Sequence, residues 1–291
     1  MRGKENRLLV FAIAMLLSIA VSAVRADDAD KCWAFFAFQN SMVGVPPGDQ
    51  PALLKELGYD GMEYNAPLRD IPEMLTALDA EGLKMFSVYS GANVDAGQPP
   101  YDPDLKAAIA QLNGRHILIS LFVTGGVPSS ADSDDRAVDV IREIADMAEA
   151  SGLRVAIYPH VGMYVARVED AVRIAKKVDR KNVGVGFNLC HFLKLDDETN
   201  LERRLTEAQP HLFTVSINGA DGGDTNQFGW DRLIQTLDRG SFDVAHLLKT
   251  LKRLGFTGPV GLQSYAIPGA PRENLRRSIK AWEDLCSRAG D

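Results

Sequence analysis

Residues 148–159, Ala-Glu-Ala-Ser-Gly-Leu-Arg-Val-Ala-Ile-Tyr-Pro, contain the pattern that decides the fold. The end of a helical stretch is followed by a glycine, which suits the left-handed residue that closes a helix, and then by a short apolar run. The same order recurs around Gly58, Gly82 and Gly255. The repeat predicts four helix–strand junctions, with strands over residues 61–65, 84–90, 154–159 and 259–265.

Four further apolar runs fill the gaps between these junctions, at residues 32–39, 116–123, 182–188 and 212–218. The runs show little alternation of polar and apolar residues, as expected of parallel strands that are covered on both faces. Eight strands that alternate with helices predict a single-domain α/β fold, the (β/α)8 TIM barrel. The alternative is a doubly wound open sheet, which favours a glycine-rich phosphate turn after an early strand, and the sequence has none.

The first 26 residues have the pattern of a cleavable signal peptide. A basic start at residues 2–7 precedes an apolar run from Leu8 to Val21, and Val24-Arg25-Ala26 offers a cleavage site. The alternative is an uncleaved anchor helix, although the run is short for a membrane span. We therefore expect residues 27–291 to form one exported domain, periplasmic or extracellular, with no stable membrane span after cleavage.

The net charge of the chain limits the kinds of molecule it is expected to bind. The whole chain carries a net charge of −7, and because its first 26 residues carry +3, residues 27–291 carry −10. An acidic surface repels phosphate backbones, so nucleic acid is not expected as a partner.

Three cysteines allow at most one internal disulfide. Cys32 and Cys286 are the more plausible pair, because the two ends of a barrel meet, whereas Cys190 fits a buried thiol at a strand end.

Polar residues gather where the predicted strands end. Because the carboxyl ends of all barrel strands share one face, these side chains should line one pocket, with aromatic walls of the kind that suits a sugar. The longest irregular segment, residues 219–239, follows the seventh strand and is either a cover for this pocket or an ordinary surface loop. The strand-end residues are Glu63, Tyr89, Tyr158, His160, Asn188, His191, Ser216, Asn218, Gln263 and Tyr265.

Three stretches resemble the xylose isomerase-like superfamily of sugar isomerases and epimerases. Leu153-Arg154-Val155-Ala156-Ile157-Tyr158-Pro159-His160 looks like its fifth-strand motif. Residues 182–191 look like the sixth-strand motif, which usually ends in Asp-x-x-His, and residues 230–265 look like the last two units. The resemblance implies the barrel fold and a carbohydrate substrate.

The resemblance also raises the question of a metal. Family members usually hold a divalent ion through Glu, Asp, His and Glu on strands five to eight, and those positions here are Tyr158, Asn188, Ser216 and Gln263. Neutral side chains rarely suffice as the main ligands of a hard cation. We therefore expect no metal and no other cofactor, with a divalent ion compatible only with a site rebuilt from Glu63, His160 and His191.

These residues suggest chemistry at a carbon next to a carbonyl group. His160, His191 and Glu63 are the expected catalytic residues, because proton removal and return need a base and an acid. The expected substrate-binding residues are Tyr89, Tyr158, Asn188, Ser216, Asn218, Gln263 and Tyr265. The favoured function is an exported, metal-independent sugar isomerase or epimerase. A lyase or hydratase on a keto-glycoside uses the same proton step, and a non-catalytic barrel that binds a carbohydrate or a partner protein is the rival of another class. The sequence leaves the sugar and the oligomeric state open.

Overall fold

Eight parallel strands form a closed barrel in a computed structural model that describes residues 32–290. The predicted signal peptide, residues 1–26, lies outside the described residues. The strands follow one another around the barrel in chain order, and β1 pairs with β8, which excludes the open sheet. They are β1 Phe35–Phe38, β2 Gly61–Tyr64, β3 Lys84–Asn93, β4 Leu118–Thr124, β5 Arg154–Ile157, β6 Val183–Asn188, β7 Leu212–Ile217 and β8 Val260–Leu262.

Helices connect the strands and cover the outside of the barrel. The four glycines expected to close helices all have positive φ angles, for example +93° at Gly58 and +67° at Gly82. The sequence therefore identified these helix ends correctly. The helices are α1 Gln50–Leu57, α2 Ile71–Glu81, α3 Leu105–Gln111, α4 Asp134–Ala150, α5 Val168–Val178, α6 Leu189–Leu195, α7 Leu201–Ala208, α8 Trp230–Leu233, α9 Val244–Arg253 and α10 Pro271–Gly290.

Some strand bounds differ from those predicted. β1 begins at Phe35 instead of Cys32, and β8 ends at Leu262 instead of Tyr265. Both are short because they pair with each other only over three residues each, from Phe35 opposite Val260 to Ala37 opposite Leu262. β3 is longer than predicted and runs to Asn93, because it keeps pairing with β4 to that point.

The two ends of the described chain pack against each other. Phe35 of β1 stacks on Trp282 of α10 with ring centroids 4.2 Å apart, and Trp33 lies 6.5 Å from the same ring. Cys286 follows Trp282 by one helical turn, so it lies on the same face of α10. Its thiol hydrogen-bonds to Cys32, and both cysteines are free thiols. The predicted proximity is present, and a covalent bridge stays a prediction.

Segment 219–239 is more ordered than predicted. Gly219 and Gln235 form a β-bridge, and Arg232 Nε donates to Asp221 Oδ2 at 2.7 Å. Lys194 of α6 donates to the carbonyl of Phe228 at 2.8 Å. Hydrogen bonds within the segment and from α6 therefore hold it in place, although its sequence has no periodic pattern. Within residues 32–290, none of the helices combines the length and the apolar character that crossing a membrane requires.

Candidate active site

A cavity of about 560 Å³ opens at the carboxyl ends of the strands. Seven of the ten expected site residues line it: Glu63, Tyr89, Tyr158, His160, His191, Gln263 and Tyr265. The strand order of the barrel explains why residues so far apart in sequence meet here, since all eight carboxyl ends face the same way.

The expected acid and base face each other across this cavity. Glu63 belongs to β2, whereas His160 follows β5 and His191 lies in the first turn of α6, directly after β6. In a closed barrel of eight strands, β2 and β6 are diametrically opposed. A molecule bound between them meets a carboxyl group on one side and two imidazoles on the other.

Glu63 is buried and hydrogen-bonded to a neighbouring strand. Only 3% of the residue is exposed, and Ser87 Oγ donates a hydrogen bond of 3.0 Å to Oε2. Burial raises the pKa of Glu63 to about 8, although hydrogen bonds from Ser87 and Ser120 oppose this shift. At neutral pH the group is therefore a neutral carboxylic acid that can donate a proton.

The two histidines form a close pair of neutral bases. Their ring centroids are 4.0 Å apart. Burial lowers the pKa of His160, and burial together with the neighbouring His160 lowers the pKa of His191 well below its ordinary value. His160 Nδ1 lies 2.9 Å from the carbonyl oxygen of Val161. Because a carbonyl only accepts, Nδ1 carries the hydrogen and Nε2 carries the lone pair.

His191 is also short of hydrogen-bond partners. Both of its ring nitrogens are buried and have no partner among the residues that the structure describes. Trp230 approaches its ring edge-on, with centroids 5.7 Å apart, and offers no acceptor. Because a buried polar group without a partner costs about 1–3 kcal/mol, these nitrogens indicate a place for a ligand or water.

The hydroxyl group of Tyr158, a residue of the cavity wall, is hydrogen-bonded to a strand-end amide. The side-chain amide of Asn188 donates to the Tyr158 hydroxyl oxygen. The Tyr158 ring meets His191 edge-on at a centroid distance of 5.9 Å. Burial raises the pKa of the phenol, so it stays protonated at neutral pH.

Three expected substrate-binding residues do not reach the cavity wall. Asn188 accepts hydrogen bonds from Cys190 Sγ and from the main-chain nitrogen of His191, and so caps α6. The Asn218 amide donates to the main-chain carbonyls of Gly219 and Leu233. Ser216 Oγ lies 3.4 Å from the Phe187 carbonyl oxygen. These three therefore lie outside the set of residues that line the cavity, although the side-chain oxygen of Asn218 is buried with no partner among the described residues. Their role in substrate binding stays a prediction.

Other residues line the cavity without having been expected there. Asn40 lies in the 3-10 turn after β1, and its side-chain oxygen is buried with no partner among the described residues. Asn40 directly follows the first predicted strand, residues 32–39, and nothing in the sequence separated it from its polar neighbours Gln39 and Ser41. The other unexpected residues are Phe38, Val161, Trp230 and Ile234, and Asn65, directly after β2, also lines the cavity.

The donor groups do not fit the metal site that the resemblance implies. Of the four matching positions, Tyr158 is a protonated phenol, and the only side-chain oxygen of Asn188 already accepts two hydrogen bonds. Ser216 and Gln263 are neutral. Within residues 32–290, no three His, Cys, Asp or Glu side chains lie close enough to share an ion.

Comparison with known proteins places these features in a wider group. A family model described as the xylose isomerase-like TIM barrel matches residues 51–285. Inosose isomerase of Bacillus subtilis is 29% identical over 136 residues, which are 44% of this chain and 46% of that protein. The chain aligns with about half the length of each curated relative it matches, 47% and 46%.

Solved structures share the fold over nearly their full length. The IolI protein with a binding zinc atom has a TM-score of 0.68 at 17% identity, with 87% of this chain and 98% of that chain covered. The 3-keto-D-glucoside 4-epimerase from E. coli has a TM-score of 0.69 at 18% identity, with 87% and 99% covered. Identities this low support a common architecture and nothing finer.

Proposed function

This chain belongs to the xylose isomerase-like TIM barrel family, and from that premise we propose that it is a sugar isomerase or epimerase. The proposal rests on one observation above all. A protonated carboxylic acid and a pair of neutral imidazoles face each other across one cavity. That arrangement suits the transfer of a proton from carbon on one side and to oxygen on the other.

The histidine pair supplies the base. Nε2 of His160 carries a lone pair, so it can accept the hydrogen of a carbon next to a carbonyl group. The electrons of the broken C–H bond form a C=C bond, and the carbonyl π electrons move to oxygen. With centroids 4.0 Å apart, only one ring of the pair gains a charge at a time, which keeps the other neutral.

Glu63 supplies the acid. Its proton moves to the carbonyl oxygen as charge develops there, which gives a neutral enediol instead of an enediolate. The carboxylate then takes a proton back from a hydroxyl group, and the histidine returns its proton to carbon. Return to the neighbouring carbon gives isomerisation. Epimerisation needs the proton on the opposite face of the same carbon, which the histidine reaches once the enediol has turned over in the cavity.

We propose that this chemistry runs without the divalent ion of other family members. The IolI protein is described as binding zinc, whereas the corresponding positions here are neutral and the Asn188 oxygen is engaged as a helix cap. A carboxylic acid that is protonated at neutral pH can stabilise the developing oxyanion in place of a cation.

The substrate is proposed to be an uncharged sugar or keto-sugar. Among the described residues, no lysine or arginine lines the cavity, so nothing there would pair with a phosphate or carboxylate group. The wall instead combines the rings of Phe38, Tyr89 and Tyr158 with amides such as Asn40 and Gln263. Such walls suit the C–H faces and hydroxyl groups of a sugar. The signal-like residues 1–26 support an exported, periplasmic or extracellular setting.

Hydrogen exchange from D2O tests the proposal without knowledge of the product. We expect carbon-bound deuterium to appear in at least one of a panel of neutral ketoses and keto-glycosides. His191→Ala and His160→Ala should each lower the rate by about 10²–10⁴-fold. If wild type and both variants are equally inert across the panel, a non-catalytic barrel is the better description. Release of the glycosidic substituent during exchange would instead identify a lyase.

A further inference from the structure

Two exposed aromatic side chains, Trp230 and Tyr265, lie at the mouth of the cavity and form what we call its rim. Four large hydrophobic residues within 32–290 are exposed: Val43, Val127, Trp230 and Tyr265. Trp230 is 41% exposed and Tyr265 is 59% exposed, and both also line the cavity. An exposed aromatic at the mouth of a polar pocket is typical of a contact with a ligand.

The two rings are held in place from behind. Trp230 begins α8, which is anchored where the Arg232 guanidinium stacks at 3.5 Å over Phe228 and donates to Asp221. The main-chain nitrogen of Tyr265 donates to Gln263 Oε1 at 3.2 Å. These contacts position the main chain from which both rings project at the rim.

The rim is continuous with the proposed reaction centre. Trp230 meets the His191 ring edge-on at 5.7 Å, and His191 in turn lies 4.0 Å from His160. A sugar ring that reacts between Glu63 and the histidines thus has the rim directly above it. A substituent on that sugar would leave the cavity past Trp230 and Tyr265.

We infer that the substrate is a glycoside whose uncharged ring substituent, an aryl group or a second sugar, stacks at this aromatic rim. The inference rests on the proposed function, because that function places the reacting sugar in the cavity. An uncharged ring is specified because no cationic side chain among the described residues lines the cavity. Both ring types present a flat face to an aromatic side chain.

Binding measurements with matched glycosides test this inference separately from catalysis. Isothermal titration calorimetry compares phenyl and methyl β-glycosides of glucose, galactose and xylose, with the corresponding disaccharides as a further arm. The methyl glycoside keeps the glycosidic bond and lacks the ring. In at least one sugar series, the phenyl glycoside or disaccharide should bind about threefold to tenfold more tightly than the methyl glycoside, given the usual energy of a ring contact.

Variants assign that difference to the rim. Tyr265→Ala and Trp230→Ala should each lower the affinity for the ring-substituted glycoside by a larger factor than the affinity for the methyl glycoside, so that the preference for the ring substituent shrinks. Val127→Ala, another exposed apolar residue, serves as the matched control and should change nothing. Trp230 fluorescence offers a second readout, because the other two tryptophans, Trp33 and Trp282, pack where β1 meets α10.

The outcomes separate the two proposals. Equal binding of methyl and ring-substituted glycosides in every series, including no binding of either, overturns the rim inference. A preference that survives both alanine variants overturns it as well. Hydrogen exchange into a free ketose would leave the proposed function standing in either case.

Discussion

Replacing Glu63 with glutamine should make the protein more stable than the wild type, by an amount that grows as the pH rises. In the folded protein burial raises the pKa of Glu63 from 4.5 to about 8. Each pKa unit corresponds to about 1.4 kcal/mol, so the shift sets a ceiling of about 5 kcal/mol. Below pH 4.5 the carboxyl is protonated in both the folded and unfolded states. Between 4.5 and about 8 only the unfolded state releases the proton, so the wild type loses stability through this window.

Urea denaturation of wild type and Glu63→Gln at several pH values measures this effect. The stability difference in favour of Glu63→Gln should widen by about 3–4 kcal/mol between pH 5 and pH 8 and then level off. Glutamine keeps the size of the side chain and an oxygen for the Ser87 hydrogen bond. Glu149→Gln, at an exposed position of α4, is the matched control and should show no such trend. Parallel stability profiles for wild type and Glu63→Gln would refute a buried, protonated carboxyl group.

Further predictions concern activity, helix capping and the chain ends. The exchange rate should fall above pH 8 as Glu63 ionises, and a rate that is flat from pH 7 to pH 10 would contradict its role as an acid. Asn188→Ala should lower the free energy of unfolding by about 1–2 kcal/mol through loss of the α6 cap, as measured in urea, whereas Asn188→Asp should retain the cap. Oxidised glutathione should convert Cys32 and Cys286 into a disulfide that blocks thiol labelling of both and raises the melting temperature by on the order of 10 °C, and unchanged labelling would contradict this.

Local rules explain how much of the fold could be predicted from sequence. Glycines such as Gly58 and Gly82 close helices through their own φ angles, so the helix–strand junctions could be predicted without knowledge of the tertiary structure. Strand ends were less predictable because pairing sets them. β3 extends to Asn93 since β4 is available beside it, and no residue near Ser90 signals that extension.

In the candidate site, too, some positions could be predicted from sequence and others depend on tertiary contacts. Glu63, His160 and His191 could be assigned to one mouth because a parallel barrel places all carboxyl ends on one face. The capping role of Asn188 was not predicted, because a strand-end amide looks the same in sequence whether it faces the cavity or caps the next helix. Trp230 reaches the cavity from a segment with no periodic pattern, so its position depends on long-range contacts such as that between Lys194 and Phe228.

The most direct test of the account is hydrogen exchange by chelator-treated protein. After removal of divalent ions, wild type in D2O at pH 7 should still exchange the carbon-bound hydrogen of a neutral keto-sugar at an undiminished rate. Glu63→Gln and His191→Ala should each be slower by at least about 10²-fold. Exchange that disappears with the chelator and returns on addition of Mn²⁺ or Zn²⁺ would contradict the account, since it would show that a cation does the work assigned to Glu63.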